Sequence, residues 1–356
     1  MRVLTLDPGA GGLKAAFVVH GDTTVTEVWA DTAALAAAAD RWGVPDAVSV
    51  RFPHGGSRAG PVLVDHAGLA DLERLVTLAP PYQESSVRVA RLLEPSLPGV
   101  PVVACFDTSF HCGLPESASR YALPKKWTSQ NRLRRYGFHG LSCRHTVRRA
   151  AEFLGKPENA LRLVSVHWGA EVSVTAISGG ASVDTSMGFT PIEGAVSATH
   201  SGSVDPGLVL HVLGTGEVTP SEMTDTLFER SGLAGMTDTS GDVREVLSAR
   251  ASGNADAELA LAVYLHRLRR EIGAAATSLD RLDAVAFTGG VAEHQPPLLA
   301  ELLEGLGTLG IHGLPSRVAG AGDRVVSVDG ALVTVLVVAA REDLELARGA
   351  EELLCG

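Results

Sequence analysis

Short apolar blocks separated by small-residue turns open the chain, and their lengths fit strands rather than helices. Arg2 to Asp7 is a largely apolar strand that ends on an acidic residue; Pro8-Gly9-Ala10-Gly11-Gly12 is a turn, and Leu13 to Val19 is a second strand. Strand, glycine turn and strand predict a hairpin. A phosphate-cradling P-loop would open a helix and carry Ser or Thr after its Lys. Here Leu13 precedes Lys14 and Ala15 follows it, so that reading is rejected. The hairpin pattern returns at Leu161 to His167, with a turn at Gly169-Ala170-Glu171, a strand from Val172 to Ile177, Gly179-Gly180, and a strand from Ala181 to Thr185. Two such openings imply an internal duplication, at a spacing much longer than that of a solenoid repeat.

Helical patterns fill much of the rest. Leu261, Leu265, Leu268 and Ile272 share one face of an amphipathic helix. His145 to Leu154 reads as a helix stopped by Gly155, and Leu298 to Leu306 as another stopped by Gly307. Ala284 to Phe287 is a buried strand running into Thr288-Gly289-Gly290, Val333 to Val338 is the last strand, and Glu342 to Leu354 is a terminal helix. The expected fold is α/β, duplicated and two-lobed, with a ligand cleft between lobes. The expected division is a lobe at 1–155, a lobe at 156–340, and a terminal helix at 341–356 that packs back on the first lobe.

The chain has 356 residues, 45% hydrophobic and 20% charged, which suits a soluble globular protein of two domains. A net charge of −11 argues against nucleic acid, whose phosphates need clustered Lys and Arg. A nucleotide site needs only a few local cations and backbone N–H groups. No signal-like segment opens the sequence, and no apolar run approaches the ~20 residues that cross a bilayer; Ala331 to Ala340 is short enough for a buried strand. Cys105, Cys112, Cys143 and Cys355 lack zinc-type spacing, so reduced cysteines in a cytoplasmic protein are expected.

Several polar residues interrupt apolar or glycine-rich sequence: Arg51, Asp107 with His111, His139, His167, His200 with Asp205, and Glu293. Each alone also fits a cap or a satisfied core group. Together they offer an arginine to clamp a carboxylate or phosphoryl group, histidine donors, and carboxylates able to hold Mg²⁺.

Tyr136-Gly137-Phe138-His139-Gly140 resembles a signature of acetate and propionate kinases. So do Phe106-Asp107-Thr108-Ser109-Phe110-His111 and Ser182 through Pro191. Asp283 through Glu293 is similar to the family's late adenosine-site stretch, and Ser240-Gly241-Asp242-Val243-Arg244 to a segment that contacts the nucleotide. The resemblance covers nearly the whole chain in one order. It implies the duplicated fold of acetate and sugar kinases, heat-shock chaperone ATPases and actin, with the first lobe on the substrate side and the second binding nucleotide. It implies in-line transfer of the γ-phosphoryl of ATP to a small carboxylic acid, giving an acyl phosphate and ADP, with Mg²⁺, in a homodimer that needs neither nucleic acid nor membrane.

By position, the resemblance assigns Arg51 to the carboxylate or the transferred phosphoryl group. Asp107 would orient the acid or the arginine, and His139 would donate to the phosphoryl group in flight. His200 stands where the family has its catalytic arginine. Pro53, Pro81, Phe138 and Pro191 would line the acid pocket. His167, Gly169, Gly289, Gly290 and Glu293 would lie beside ATP, and Asp242, Val243 and Arg244 beside the adenosine. Asp7 and Glu342 would serve the metal.

The departures are specific. The family opens Asn-Ala-Gly-Ser-Ser-Ser-Leu-Lys, whereas this chain has Asp7 for the Asn and no hydroxyl through Gly12. The family's His-Leu-Gly-Asn-Gly becomes His167-Trp168-Gly169-Ala170-Glu171, which places either a repelling charge at the phosphates or a side chain in solvent. At position 200 a permanently charged fork is replaced by an imidazole, charged only when protonated. Pro53 and Pro81-Tyr82-Gln83-Glu84 replace the family's pocket residues, and the first lobe is shorter before Arg51. These changes predict an altered acid or efficiency. Two alternatives stay open: a different reaction on an acyl or phosphorylated metabolite, and a non-catalytic ligand-binding homologue.

Overall fold

A computed structural model describes residues 1–9, 12–30, 34–79, 82–313 and 315–356, with the side chains of 36, 37, 39, 129–131 and 315 left aside. The chain forms two compact units. The first comprises Met1–Gly113, Phe138–His145 and Arg341–Gly356; the second comprises Leu114–Gly137 and Thr146–Ala340.

The first unit holds β1 (Arg2–Gly9), β2 (Gly12–Val19), β3 (Asp22–Trp29), β4 (Ala47–Phe52), β5 (Val62–Leu63) and β6 (Val102–Phe106). They form one sheet in the order β3-β2-β1-β4-β6-β5. The second unit holds β7 (Arg162–Trp168), β8 (Val172–Ser178), β9 (Ala181–Thr185), β10 (Ala284–Thr288), β11 (Arg324–Val325) and β12 (Thr334–Val337). Its order, read in the same direction, is β9-β8-β7-β10-β12-β11. In both sheets the first three strands are an antiparallel meander, the next two run parallel to the first, and a two-residue edge strand is antiparallel. The duplication read from the hairpins therefore extends through the whole sheet.

Strand periodicity explains how the first sheet is covered. Leu4 and Leu6 face one side with Val48, Val50 and Phe52, under Val89 and Leu93 of the helix Tyr82–Ser96. Val3, Ala47, Val103 and Cys105 face the other side and are covered by Leu346, Ala347 and Ala350 of the terminal helix Glu342–Cys355. In the second unit, Leu261, Leu265, Leu268 and Ile272 form the buried stripe of the helix Ala255–Thr277, packed with Val164, Val166, Val174, Val285 and Phe287. The Trp168 indole N–H donates to the Tyr264 hydroxyl at 2.7 Å, so two large buried rings keep their polar atoms satisfied.

Some elements differ from expectation. β3 was not anticipated: its polar and apolar residues alternate, but threonines fill much of the pattern and it lies at the sheet edge. The helix expected from His145 begins at Gly140, because a glycine conceals the start of an otherwise regular pattern. No disulfide joins Cys105, Cys112, Cys143 or Cys355. No described helix is long and apolar enough to cross a membrane.

Gly289 continues β10 alongside Trp168 with φ of 95°, and a Cβ there would lie 2.8 Å from the Trp168 carbonyl oxygen. A Cβ on the next residue, Gly290, would meet nothing within 4 Å. Gly289→Ala is therefore expected to lower unfolding free energy by about 2 kcal/mol or more in urea titration, while Gly290→Ala leaves it within about 0.5 kcal/mol. Equal stability of the two variants would remove the close-approach explanation.

Candidate functional site

In the first unit three charged residues meet because parallel strands end side by side. Asp7 lies near the end of β1, Arg51 in β4, and Asp107 directly after β6, where its N–H donates to the Phe52 carbonyl at 3.1 Å. Side chains at the carboxyl ends of neighbouring parallel strands converge, and α/β proteins use that edge for ligands. Arg51 Nε lies 3.1 Å from both Asp107 oxygens, Nη2 lies 2.6 Å from Asp107 Oδ2, and Nη1 lies 2.9 Å from Asp7 Oδ1. Asp107 is 2% exposed in its side chain, Arg51 20%. Burial alone would lower the arginine's pKa; the charges of Asp107 and Asp7 more than offset it and hold the guanidinium well above its ordinary value.

A loop crosses this clamp. Gly140 N–H donates to the Asp107 carbonyl at 3.0 Å, and a Cβ on Gly140 would lie 2.1 Å from that oxygen, so only glycine fits. His139 is buried and left-handed, with φ of 58°, a conformation that costs a non-glycine residue of order 1–3 kcal/mol unless its surroundings fix it. Part of that fixing comes from His111, whose Nε2–H donates to the Phe138 carbonyl at 2.9 Å. Pro53 and Phe138 are both buried, and the Phe138 ring meets the His54 ring edge-on at 6.0 Å. Gln83 clamps His54 from both sides of its peptide, accepting from His54 N at 3.0 Å and donating to His54 O at 3.1 Å. Pro81 lies outside the described residues.

Glu342 opens the helix Glu342–Cys355 and is half-buried. Its carboxyl is raised above the usual range, chiefly by burial and next by the negative charge of Asp7, while Lys14 and Arg51 pull the other way. Among the described residues no three His, Cys, Asp or Glu side chains converge on one point. Mg²⁺, however, is commonly held by one or two carboxylates together with phosphate oxygens and water. Asp7 and Glu342 fit that need: both offer hard oxygen donors, and the charge of Asp7 is felt at the Glu342 carboxyl.

In the second unit, β10 ends at Thr288, which pairs with His167, the last residue but one of β7, so His167, Gly169, Gly289 and Gly290 share one edge. The Glu293 carboxylate accepts from Ala340 N at 3.0 Å and so ties down the chain after β12. Asp242 caps the helix Val243–Ala251, accepting from Arg244 N at 2.8 Å, and also pairs with the exposed Arg244 guanidinium. Val243 points into the core and can offer a ligand only its main chain. Asp205 is a helix cap, accepting from Gly207 N at 2.9 Å. Pro191 is buried in a segment braced by neighbours that sequence reading missed. Tyr121 donates to Glu193 and accepts from Phe189 N at 2.8 Å, while Arg135 reaches Glu193 at 2.6 Å and the Ser186 carbonyl at 2.8 Å.

Two departures turn out to be neighbours. His200 Nε2 lies 3.9 Å from Glu171 Oε1, and the Glu171 side chain is 24% exposed. Ala198 N donates to Ala170 O at 2.9 Å, which brings the two turns together. The His200 ring is 1% exposed, lies edge-on to Phe228 at 5.6 Å, and neither ring nitrogen has a hydrogen-bond partner among the described residues. Glu171 thus faces the His200 imidazole. The signal was present in the sequence as two separate substitutions, with nothing local to join them.

Two copies of one sheet, one ending in an arginine–carboxylate clamp and the other in glycine turns, define the duplicated α/β fold expected for acetate and sugar kinases. The chain belongs to the acetokinase family, whose sequence profile matches residues 30–348. It is 44% identical over 311 residues to an acetate kinase of Synechococcus sp. (strain JA-2-3B'a(2-13)), covering 87% of this chain and 77% of that one. It is 43% identical over 308 residues to an acetate kinase of Leifsonia xyli subsp. xyli, covering 86% and 77%. Among solved structures, Porphyromonas gingivalis acetate kinase superposes with a TM-score of 0.89 at 29% identity over 99% of both chains. A propionate kinase from Francisella tularensis superposes with a TM-score of 0.90 at 25% identity over 98% of both.

Burial lowers the pKa of both His54 and His111 from 6.5 to about 4; for His111 the Phe138 carbonyl opposes that shift and the nearby His139 adds to it. Above pH 6.5 both rings are neutral whether folded or not. As pH falls toward 4 the unfolded chain takes up protons that the folded chain refuses, so stability is lost across that window. Each ring accounts for about 2 kcal/mol between pH 7 and 4.5. His111→Gln keeps a donor for Phe138 and is expected to lose correspondingly less stability over that range in urea titrations; an unchanged loss would refute the assignment.

Proposed function

We propose that this protein transfers the γ-phosphoryl group of ATP to a small carboxylic acid, forming an acyl phosphate and ADP. The observation that carries the reading is the Arg51–Asp107 pair under the His139–Gly140 loop, set at the ends of parallel strands. An oxygen of the acid attacks γ-phosphorus in line, the bond to the β,γ-bridging oxygen breaks, and ADP leaves. Such transfer needs alignment and charge more than covalent help.

In this reading the first unit takes the acid and the second the nucleotide. Arg51 meets the acid's carboxylate or the moving phosphoryl group, and Asp107 fixes the guanidinium plane. His139, aimed by its left-handed backbone, donates to the phosphoryl oxygens. Pro53 and Phe138 limit the size of the acid. Asp7 and Glu342 would hold Mg²⁺, which supplies charge neutralisation for the phosphates when bound. Gly169, Gly289 and Gly290 let the nucleotide approach main chain, with His167 beside them, and Asp242 and Arg244 flank the adenosine. On the same reading the protein works in the cytoplasm as a homodimer, which sedimentation of the purified chain checks.

The Glu171–His200 pair supports altered efficiency or substrate within that reaction. A guanidinium at a phosphoryl transition state is worth ~10³ or more in rate. Here the position carries a smaller group beside a carboxylate.

Acyl phosphate trapped as hydroxamate, over a panel of short acids, should depend on acid, ATP and Mg²⁺ together. Arg51→Ala should lower kcat/KM about 10²-fold or more. Absence of product with every acid would sink the reading. His200→Arg alone places a guanidinium beside Glu171, where the two neutralise each other. His200→Arg with Glu171→Gly should raise kcat at least about ten-fold over the parent and exceed the single variant. A double variant no faster than the parent would show that this pair does not limit transfer.

A further inference from the structure

Asp7 has a position that the metal role alone does not explain. A guanidinium offers five N–H donors and two edges suited to bidentate pairing, Nε with Nη2 and Nη1 with Nη2. Asp107 occupies the first edge, with Nε at 3.1 Å from both oxygens and Nη2 at 2.6 Å. The edge left for an incoming carboxylate is therefore Nη1 with Nη2. Asp7 Oδ1 sits on Nη1 at 2.9 Å. Where the acetate kinase pattern has a neutral asparagine, this chain has a carboxylate on one of the two nitrogens of that edge.

Charge sharpens the conflict. Asp7 and Asp107 together outweigh Arg51, and Glu342 lies near enough to feel Asp7, with Lys14 also acting on it. An acid approaching this cluster meets a clamp that already carries two anions. Asp7 cannot hold Arg51 and a cation with the same oxygen at full strength.

We propose that Asp7 is a positioning residue that makes the arginine clamp cation-dependent. Without a divalent cation Asp7 holds Nη1 of Arg51 and blocks the second edge. When Asp7 turns, with Glu342, to a divalent cation, it gives up Nη1, and Arg51 presents a free edge to a carboxylate. This rests on the reading of Arg51 as the acid's partner and adds an order: cation first, acid second.

The test uses the full chain without acid or nucleotide, so its result stands apart from whether phosphoryl transfer is detected. Phenylglyoxal labels guanidinium groups, and peptide mapping by mass spectrometry reports each arginine separately. In the parent protein, labelling of Arg51 should rise at least about three-fold on adding millimolar Mg²⁺, as expected when a charge-assisted bond is released. Arg317, paired with Asp329 at the surface, should show no such change and serves as the internal reference. In Asp7→Asn, Arg51 should label at the faster rate with or without Mg²⁺. Equal labelling of Arg51 in the parent with and without Mg²⁺ overturns the inference, and that arm needs no variant to fold. An Asp7→Asn protein whose Arg51 still responds to Mg²⁺ also overturns it, because the cation would then act through another group.

Discussion

Everything proposed for the first unit depends on one ion pair, half-buried Arg51 with buried Asp107. Asp107 is almost wholly out of water, so its charge is tolerable only while the guanidinium is there. Breaking such a pair by removing one partner typically costs on the order of 3–5 kcal/mol, because the orphaned charge stays buried. The strand order makes the pair possible by placing β4 next to β6 with Arg51 opposite Cys105 and Phe52 opposite Phe106. The Asp107 main chain then receives Gly140, which sets the start of the next helix and the strained backbone of His139. Structural and chemical roles are thus joined in the same few atoms.

The unusual residues form a pattern of reassigned partners. Asp7 adds a second carboxylate to Arg51, and Glu171 turns toward the imidazole at position 200. Both changes draw a charged or polar group toward another protein group and so reduce what is immediately available to a ligand. Glu293 and Gly289 are accounted for without any ligand: the first anchors Ala340, and the second allows β10 to pass Trp168. Ancestry and present chemistry are separable, and it is the arrangement of Arg51, Asp107 and His139 that speaks for continued phosphoryl transfer.

Much of this was legible in the sequence, for identifiable reasons. The hairpins could be read because small-residue turns interrupt strongly apolar strands, and the stripe at Leu261, Leu265, Leu268 and Ile272 because helical spacing is local. β3 escaped because threonines blur its alternation at the sheet edge. Arg51 and Asp107 stood out as charges at the ends of apolar runs. Their pairing with Asp7 did not, because it arises between strands distant in sequence. The direction of Glu171 likewise required two turns, thirty residues apart in round terms, to be placed together by Ala170 and Ala198. Gly140 was visible as part of a signature, whereas the reason for it, the Asp107 carbonyl against its Cα, belongs to packing alone.

The terminal helix has a consequence for how the protein is made. Its Leu346, Ala347 and Ala350 cover Val3, Ala47, Val103 and Cys105, so one face of the first sheet lacks its lid until that helix is synthesised. The second unit ends at Ala340 and has all its residues before that moment. Domains generally fold as units during synthesis, amino-terminal first. Here the ribosome delivers the beginning of the first unit early and its completion only after the second unit. The half-covered sheet must wait through the production of its neighbour, and loss of the helix Glu342–Cys355 would leave that apolar face uncovered.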